Sequence, residues 1–154
     1  MRVEYINPFV EASYNILKEV LESEVIRGEL YLKSTSTPVL GVAALVGLAG
    51  DVEGRVLFDM SKDTALGIAS LMNGEKITTM DELAKATIQE LANMITGQAV
   101  TKLTDLGFRF DLTPPALFTG DNMEVSSASF EALIVPMKLS VGKIEINVAI
   151  RERC

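Results

Sequence analysis

Histidine and tryptophan are absent from the 154 residues, and cysteine occurs once, as Cys154. Without histidine there is no Ser-His-Asp or Cys-His triad, no imidazole proton shuttle and almost no route to a catalytic zinc site. One thiol leaves no partner for an intrachain disulfide and fits a reducing compartment. Basic side chains are outnumbered by acidic ones, 14 against 21, for a formal net charge of −7. That balance argues against unassisted binding to nucleic acid or to an anionic membrane, both of which attract basic surfaces. The greasiest run, 39–50, is interrupted at Gly41 and Gly47 and falls well short of the roughly 20 residues that span a bilayer. The opening stretch MRVEYINPF has no apolar signal core, so a cytoplasmic location is expected.

What is present suits one α+β domain over 1–154: 48% of the residues are apolar, enough to bury a core. Asn7-Pro8 reads as a helix start, with Phe9, Ala12, Ile16, Val20 and Leu21 at helical spacing up to about Ser23. Strands are expected over 28–34, 39–49 and 55–60, the last two joined by the Gly-rich turn 50–54. The second should be buried on both faces. Ser61 caps a short helix, 62–72, stopped at Asn73-Gly74. Thr79 with Glu82 fits a capping box opening a long helix, 80–106, ended by Gly107. Another strand, 108–112, precedes the breaker Thr113-Pro114-Pro115. A loop is expected over 116–129, then two long strands, 130–141 and 143–152, turning at Gly142.

The order α-β-β-β-α-α-β-β-β suggests two related halves, about 1–75 and 76–154, arranged around a pseudo-twofold axis. PFVEASYNIL (8–17) laid on TIQELANMIT (87–96) matches Glu11 to Glu90 and Ile16 to Ile95, with Tyr14 opposite Asn93. The expected fold is a predominantly antiparallel sheet against two long helices.

The stretch QELANMITGQA (89–99) carries the main functional candidate. At about 100° per residue, Ile88, Ala92, Ile95 and Ala99 share one side of the helix, flanked by Leu91 and Leu103. Glu90 and Asn93 fall opposite, with Leu83, Ala86, Gly97 and Thr101. A solvated face normally carries long, helix-favouring polar residues. Gly97 costs about 1 kcal/mol against alanine in a helix interior, so a close approach by another backbone, of this chain or a partner, should offset it. The spacing alone leaves open whether the pair is functional or simply the wet side of an amphipathic helix.

Other candidates are weaker. Gly47, Gly50 and Gly54 precede no Gly-Lys-Ser/Thr and open no helix, so phosphate cradling is not expected. Asp59, Asp63 and Glu75 match no metal-loop spacing and are expected as caps or surface charges; no metal ligand set is foreseen. Met60, Met72, Met80, Met94 and Met123 are expected as core filler, with Met94 a candidate lining of a contact surface.

With these residues in view, the chain resembles the CheC/CheX/FliY family of chemotaxis phosphatases, over essentially its whole length. The family pattern is Asp or Ser, Glu four residues on, Asn three further, and Pro some twenty later. Glu90 and Asn93 match the two functional positions, Ala86 stands at the leading position, and Pro114 or Pro115 lies near the proline. The first-helix copy keeps Glu11 but has Tyr14 in place of the Asn, which implies one active site per chain. The resemblance implies a CheC-like fold, with a phosphorylated response regulator, CheY, as substrate. It further implies that Mg2+ is supplied by the regulator and that the chain brings no cofactor of its own. Asn93 would hold the attacking water and Glu90 would anchor to an active-site Lys of the regulator. Ala86, Met94, Gly97 and Pro114 would contact the partner protein, and a homodimer through sheet edges is implied. The rival expectation is a non-catalytic flagellar-switch or adaptor module that docks a regulator through the same helix.

Overall fold

The computed structural model describes residues 3–33, 36–126 and 132–153. The expected strand ends at 34, 130 and 131, and most of the polar stretch 126–129, lie outside those residues. The elements in chain order are helix α1 (Val3–Leu21), strands β1 (Ile26–Arg27), β2 (Tyr31–Lys33), β3 (Ser36–Pro38), β4 (Gly41–Gly50) and β5 (Val52–Ser61). Helices α2 (Lys62–Asn73) and α3 (Glu82–Asp105) follow. Strands β6 (Phe110–Leu112), β7 (Ala116–Thr119), β8 (Glu124–Ser126), β9 (Ala132–Leu139) and β10 (Gly142–Glu152) complete the described chain.

Three expectations are corrected. Helix α1 does not start at Asn7-Pro8; it begins at Val3 and carries Pro8 inside. Packing outweighs the lost N–H: Tyr5 and Ile6 are buried. The Tyr5 ring lies edge-on to Phe108 and Phe110, 5.0 and 5.6 Å between centroids, and its hydroxyl hydrogen-bonds to Glu152 Oε1 at 3.1 Å. Helix α3 is capped not by Thr79 but by Asp81, whose carboxylate accepts from the Ala84 N–H at 2.9 Å; an anion there also suits the helix dipole. The stretch 116–129 is not all loop, because β7 pairs with β4 from Ala116↔Leu45 to Thr119↔Val42 and β8 pairs with β3. The cap of α2 is as expected: Ser61 accepts from the Thr64 N–H at 3.1 Å, and Gly74, at φ 66°, closes the far end.

The large sheet runs β1-β9-β10-β5-β4-β6, with β2 also on β9 and β7 also on β4; all its pairings are antiparallel. The order is symmetric about the β10–β5 pair. Two short strands from the first half of the chain edge β9, and two from the second half edge β4. At the centre, Gly54 opposes Ile150, and a Cβ there would run into the Ala149 carbonyl; only glycine fits. Period-two alternation turns Val56, Phe58 and Met60 of β5 into one buried cluster with Ile144, Ile146 and Val148 of β10. The same cluster takes in Phe9 and Leu17 of α1 and Ile88, Leu91, Ile95 and Leu103 of α3, so the helices cover one face. Lys102 of α3 pairs with Glu11 of α1, and Tyr5 meets Phe108 just beyond α3. The early turns of α1 therefore lie beside the last turns of α3.

Candidate functional site

Helix α3 presents Glu90 and Asn93 outward, both exposed, on the side away from buried Ile88, Leu91, Ala92 and Ile95. Ala86 is exposed and Gly97 half-buried on the same stripe. A Cβ built on Gly97 meets nothing within 4 Å. The close backbone approach sought for this glycine is therefore not made by the described part of the chain. Leu83, a turn before Ala86, is 43% exposed. Met94 differs from these: it is half-buried and packed against the core, so it is core filler with one open edge. Pro114 is exposed and Pro115 half-buried.

The ridge is held on both flanks. On one side the Asn73 carboxamide of α2 donates to Thr87 Oγ1 at 2.9 Å. On the other, Gln89 Nε2 donates to the Pro115 carbonyl at 3.1 Å. Thr113 is tied in turn to β4: its N–H donates to the Gly47 carbonyl at 3.0 Å, and its hydroxyl accepts from the Gly47 N–H at 2.7 Å. Within the helix, Thr96 Oγ1 donates to the Ala92 carbonyl at 2.8 Å. Among the described residues, neither the Glu90 carboxylate nor the Asn93 carboxamide has a hydrogen-bond or ion-pair partner, so both are available to a visitor.

The echo on α1 is arranged otherwise. Glu11 is engaged by Lys102. Tyr14 packs against the core, with Lys18 Nζ 5.7 Å from its ring centre. A cleft of about 470 Å³ lies there, lined by Glu4, Asn7, Pro8, Glu11, Lys102, Asp105 and Leu106, and neither Glu90 nor Asn93 borders it. The candidate site is thus an exposed helix face outside that cleft, unlike the concave pocket that encloses a small molecule.

Sequence reasoning missed Gln89, whose only signal was its place one turn before Asn93. It also missed a polar cluster on the sheet face away from the helices. Asp59 and Glu145 are direct cross-strand neighbours, both buried. Asp59 accepts from the Leu40 N–H at 2.8 Å, while Tyr31 donates its hydroxyl to Glu145 and Lys33 stands 4.0 Å from it. Burial pushes the Asp59 carboxyl up from 3.8 to about 6, and burial followed by the Glu145 contact pushes the Tyr31 hydroxyl up to about 12. Asp59, Asp63 and Glu75 do not converge; among the described residues no three His, Cys, Asp or Glu side chains are grouped to hold a metal ion.

The family described as "Chemotaxis phosphatase CheX" matches residues 42–138. The chain belongs to the CheX family. The matched segment runs from β4 into β9 and contains the whole Glu90–Asn93 ridge and the prolines. The CheY-P phosphatase CheX of Thermotoga maritima is 30% identical over 128 residues, 82% of this chain and 83% of that protein. Among solved structures, the Borrelia burgdorferi CheX-CheY-BeF3-Mg+2 complex contains a chain 44% identical. The match has a TM-score of 0.86 and covers 98% of this chain and all of that one. The CheX chemotaxis protein of Desulfovibrio desulfuricans is 26% identical, with a TM-score of 0.87 over 97% of this chain and 100% of that one. Thermotoga maritima FliY, at 18% identity and a TM-score of 0.69 over 97% of this chain and 91% of that one, shares the fold. The α+β, CheC-like architecture read from the sequence is therefore the one the protein adopts.

Proposed function

We propose that this chain hydrolyses the aspartyl phosphate of a CheY-type response regulator, with Glu90 and Asn93 as its working groups. The observation that carries the reading is that both side chains stand unengaged on an exposed ridge whose neighbours, Ala86 and Gly97, leave room for a second protein. Kinship supports it: the Thermotoga relative is a CheY-P phosphatase, and the Borrelia relative was crystallised with CheY, BeF3 and Mg2+.

An aspartyl phosphate is already an activated acyl phosphate, held by the Mg2+ of the regulator, so the visitor brings neither nucleophile nor metal. Phosphoryl transfer to water passes through a loose transition state, and catalysis is mostly positioning and charge stabilisation. The carboxamide of Asn93 has a donor and an acceptor, and inserted beside the phosphate it orients a water in line with phosphorus. Glu90, one turn away, pairs with the active-site Lys of the regulator by a charge-assisted bond and fixes the register of insertion. Pro114 and the Ala86–Gly97 stripe form the surrounding contact.

The test is release of phosphate from the Mg2+-loaded phosphorylated regulator. Asn93→Ala should slow it roughly a hundredfold, the scale on which misplacement of a reacting group costs rate. Glu90→Ala should cost about ten- to a hundredfold, the worth of a buried charge-assisted bond. Parental rates in both folded variants sink the proposal. Binding of the regulator with phosphate lost only at its intrinsic rate would make the chain an adaptor. We place the protein in the cytoplasm, since its substrate would be there; among the described residues no helix is long and apolar enough to cross a membrane. The two sheet edges, with exposed Ile26 and Leu32 on one side and Phe118 on the other, are offered as the surfaces of a homodimer.

A further inference from the structure

The Thr113-Pro114-Pro115 segment is the only irregular backbone fastened directly to the flank of the ridge among the described bonds, and one side chain does the fastening. Gln89 Nε2 donates to the Pro115 carbonyl at 3.1 Å, while Thr113 is held from below by two hydrogen bonds to Gly47. The segment spans from β4 to the helix and leaves Pro114 exposed between its two anchor points. Gln89 lies one turn before Asn93 on the same flank of α3. Proline donates no N–H, so neither Pro114 nor Pro115 can secure itself through its own amide. In the α1 echo the matching position is Val10, which is buried and carries no donor, so that copy has no such clamp.

We infer that Gln89 is a positioning residue: its carboxamide pins the 113–115 segment beside Asn93 and so fixes where Pro114 meets the partner protein. The inference rests on the proposed docking of a phosphorylated regulator at this ridge, but the clamp itself is a property of the free protein and can be tested apart from it. Loss of the bond frees the segment to sample positions in which Pro114 blocks or abandons the approaching surface. The cost appears in association more than in turnover, because the groups near phosphorus are unchanged.

Two variants separate the roles. Gln89→Met keeps the length of the side chain and removes the donor; Gln89→Lys keeps a donor within reach of the carbonyl. In the free protein, amide hydrogen exchange over 113–119 should quicken several-fold in Gln89→Met and stay near parental in Gln89→Lys, while exchange over the rest of α3 is unaltered in both. In the phosphate-release assay Gln89→Met should raise KM about fivefold, the net contribution of one hydrogen bond, with kcat within about twofold, and Gln89→Lys should restore KM. Unchanged exchange over 113–119 in Gln89→Met overturns the clamp. Quickened exchange with a parental KM overturns its role in docking. If Asn93→Ala releases phosphate like the parent, the functional reading fails by itself, and the exchange measurement still decides the clamp.

Discussion

Replacing Gly97 should make the protein more stable and less active, a combination that few other accounts of this helix produce. Gly97 is an interior position of α3, and a Cβ there touches nothing within 4 Å. Alanine should therefore contribute the full helix-propensity difference, about 1 kcal/mol, with no packing cost. Unfolding entropy near 2.1 cal/mol/K per residue over 154 residues is about 0.3 kcal/mol/K, so Gly97→Ala should raise Tm by about 3 °C. Leucine is within a few tenths of a kcal/mol of alanine in helices, and Gly97→Leu should melt almost as high. Yet its side chain would stand in the stripe shared with Glu90 and Asn93, where the proposed partner surface would come close. A displacement of about 1 Å at the reacting groups is worth up to roughly a hundredfold in rate, so kcat/KM for phosphate release should fall more than tenfold. Calorimetry and the release assay on the same samples decide it. A destabilised Gly97→Ala would refute the open space, and a stable Gly97→Leu with parental kcat/KM would refute docking on this ridge.

The other predictions concern the supports of the site. Asp81→Ala should cost about 1 kcal/mol in chemical denaturation, the worth of an N-cap, whereas Thr79→Ala should cost only a few tenths; the reverse ranking would reinstate the capping box. Asp59 carries a folded-state pKa raised from 3.8 to about 6, so its stabilising contribution is complete below about pH 4 and is lost as pH rises through about 6. Two pH units correspond to about 3 kcal/mol at most; burial is the main cause of the rise, Glu145 adds to it, and the Leu40 and Met60 amides and Lys33 oppose it. The stability of Asp59→Asn relative to the parent should accordingly grow between about pH 4 and pH 7; a constant difference would mean that Asp59 titrates normally. Light scattering at micromolar concentration should give twice the chain mass if the sheet edges pair, and a monomer would remove the dimer.

The periodic parts of the molecule were legible because local chemistry and tertiary demand agree there. Ser61 and Gly74 bound α2 at the expected places, and the buried side of α3 follows from spacing alone. Legibility failed where a distant contact overruled a local signal. Pro8 reads as a helix start until Tyr5 finds Phe108 across more than a hundred residues. The segment holding β7 and β8 is broken by Gly120-Asp121-Asn122 and reads as a loop, yet its two sides pair as strands with the edges of β4 and β3. The Asp59–Glu145 pairing needs the register of β5 on β10, which no single stretch encodes. For the site the division is similar. The outward placement of Glu90 and Asn93 could be read from spacing, whereas the bonds of Gln89 to Pro115 and of Asn73 to Thr87 depend on how the fold packs a loop and α2 against α3.

The two long helices are not equivalent. Both carry a glutamate at positions that the sequence overlay matches, so a carboxylate on a helix is not what would distinguish the proposed site. On α1 the Glu11 carboxylate is taken up by Lys102, and the residue three further on is a core-packed tyrosine. That ring is packed down on the core, with Lys18 over its face, so its hydroxyl does not stand free on an exposed ridge as the Asn93 carboxamide does. On α3 the carboxylate is unclaimed, the residue three further on is an exposed carboxamide, and glycine leaves open space beside them. Restoring only the amide by Tyr14→Asn would therefore not create a second site while Lys102 holds Glu11; Tyr14→Asn with Lys102→Ala would expose both groups. Even that double variant lacks the clamp donor, because Val10 stands where Gln89 does. A gain of phosphate release by the double variant carrying Asn93→Ala would show that the pair suffices without its supporting loop. Continued inactivity, in a protein that remains folded, is the expected result.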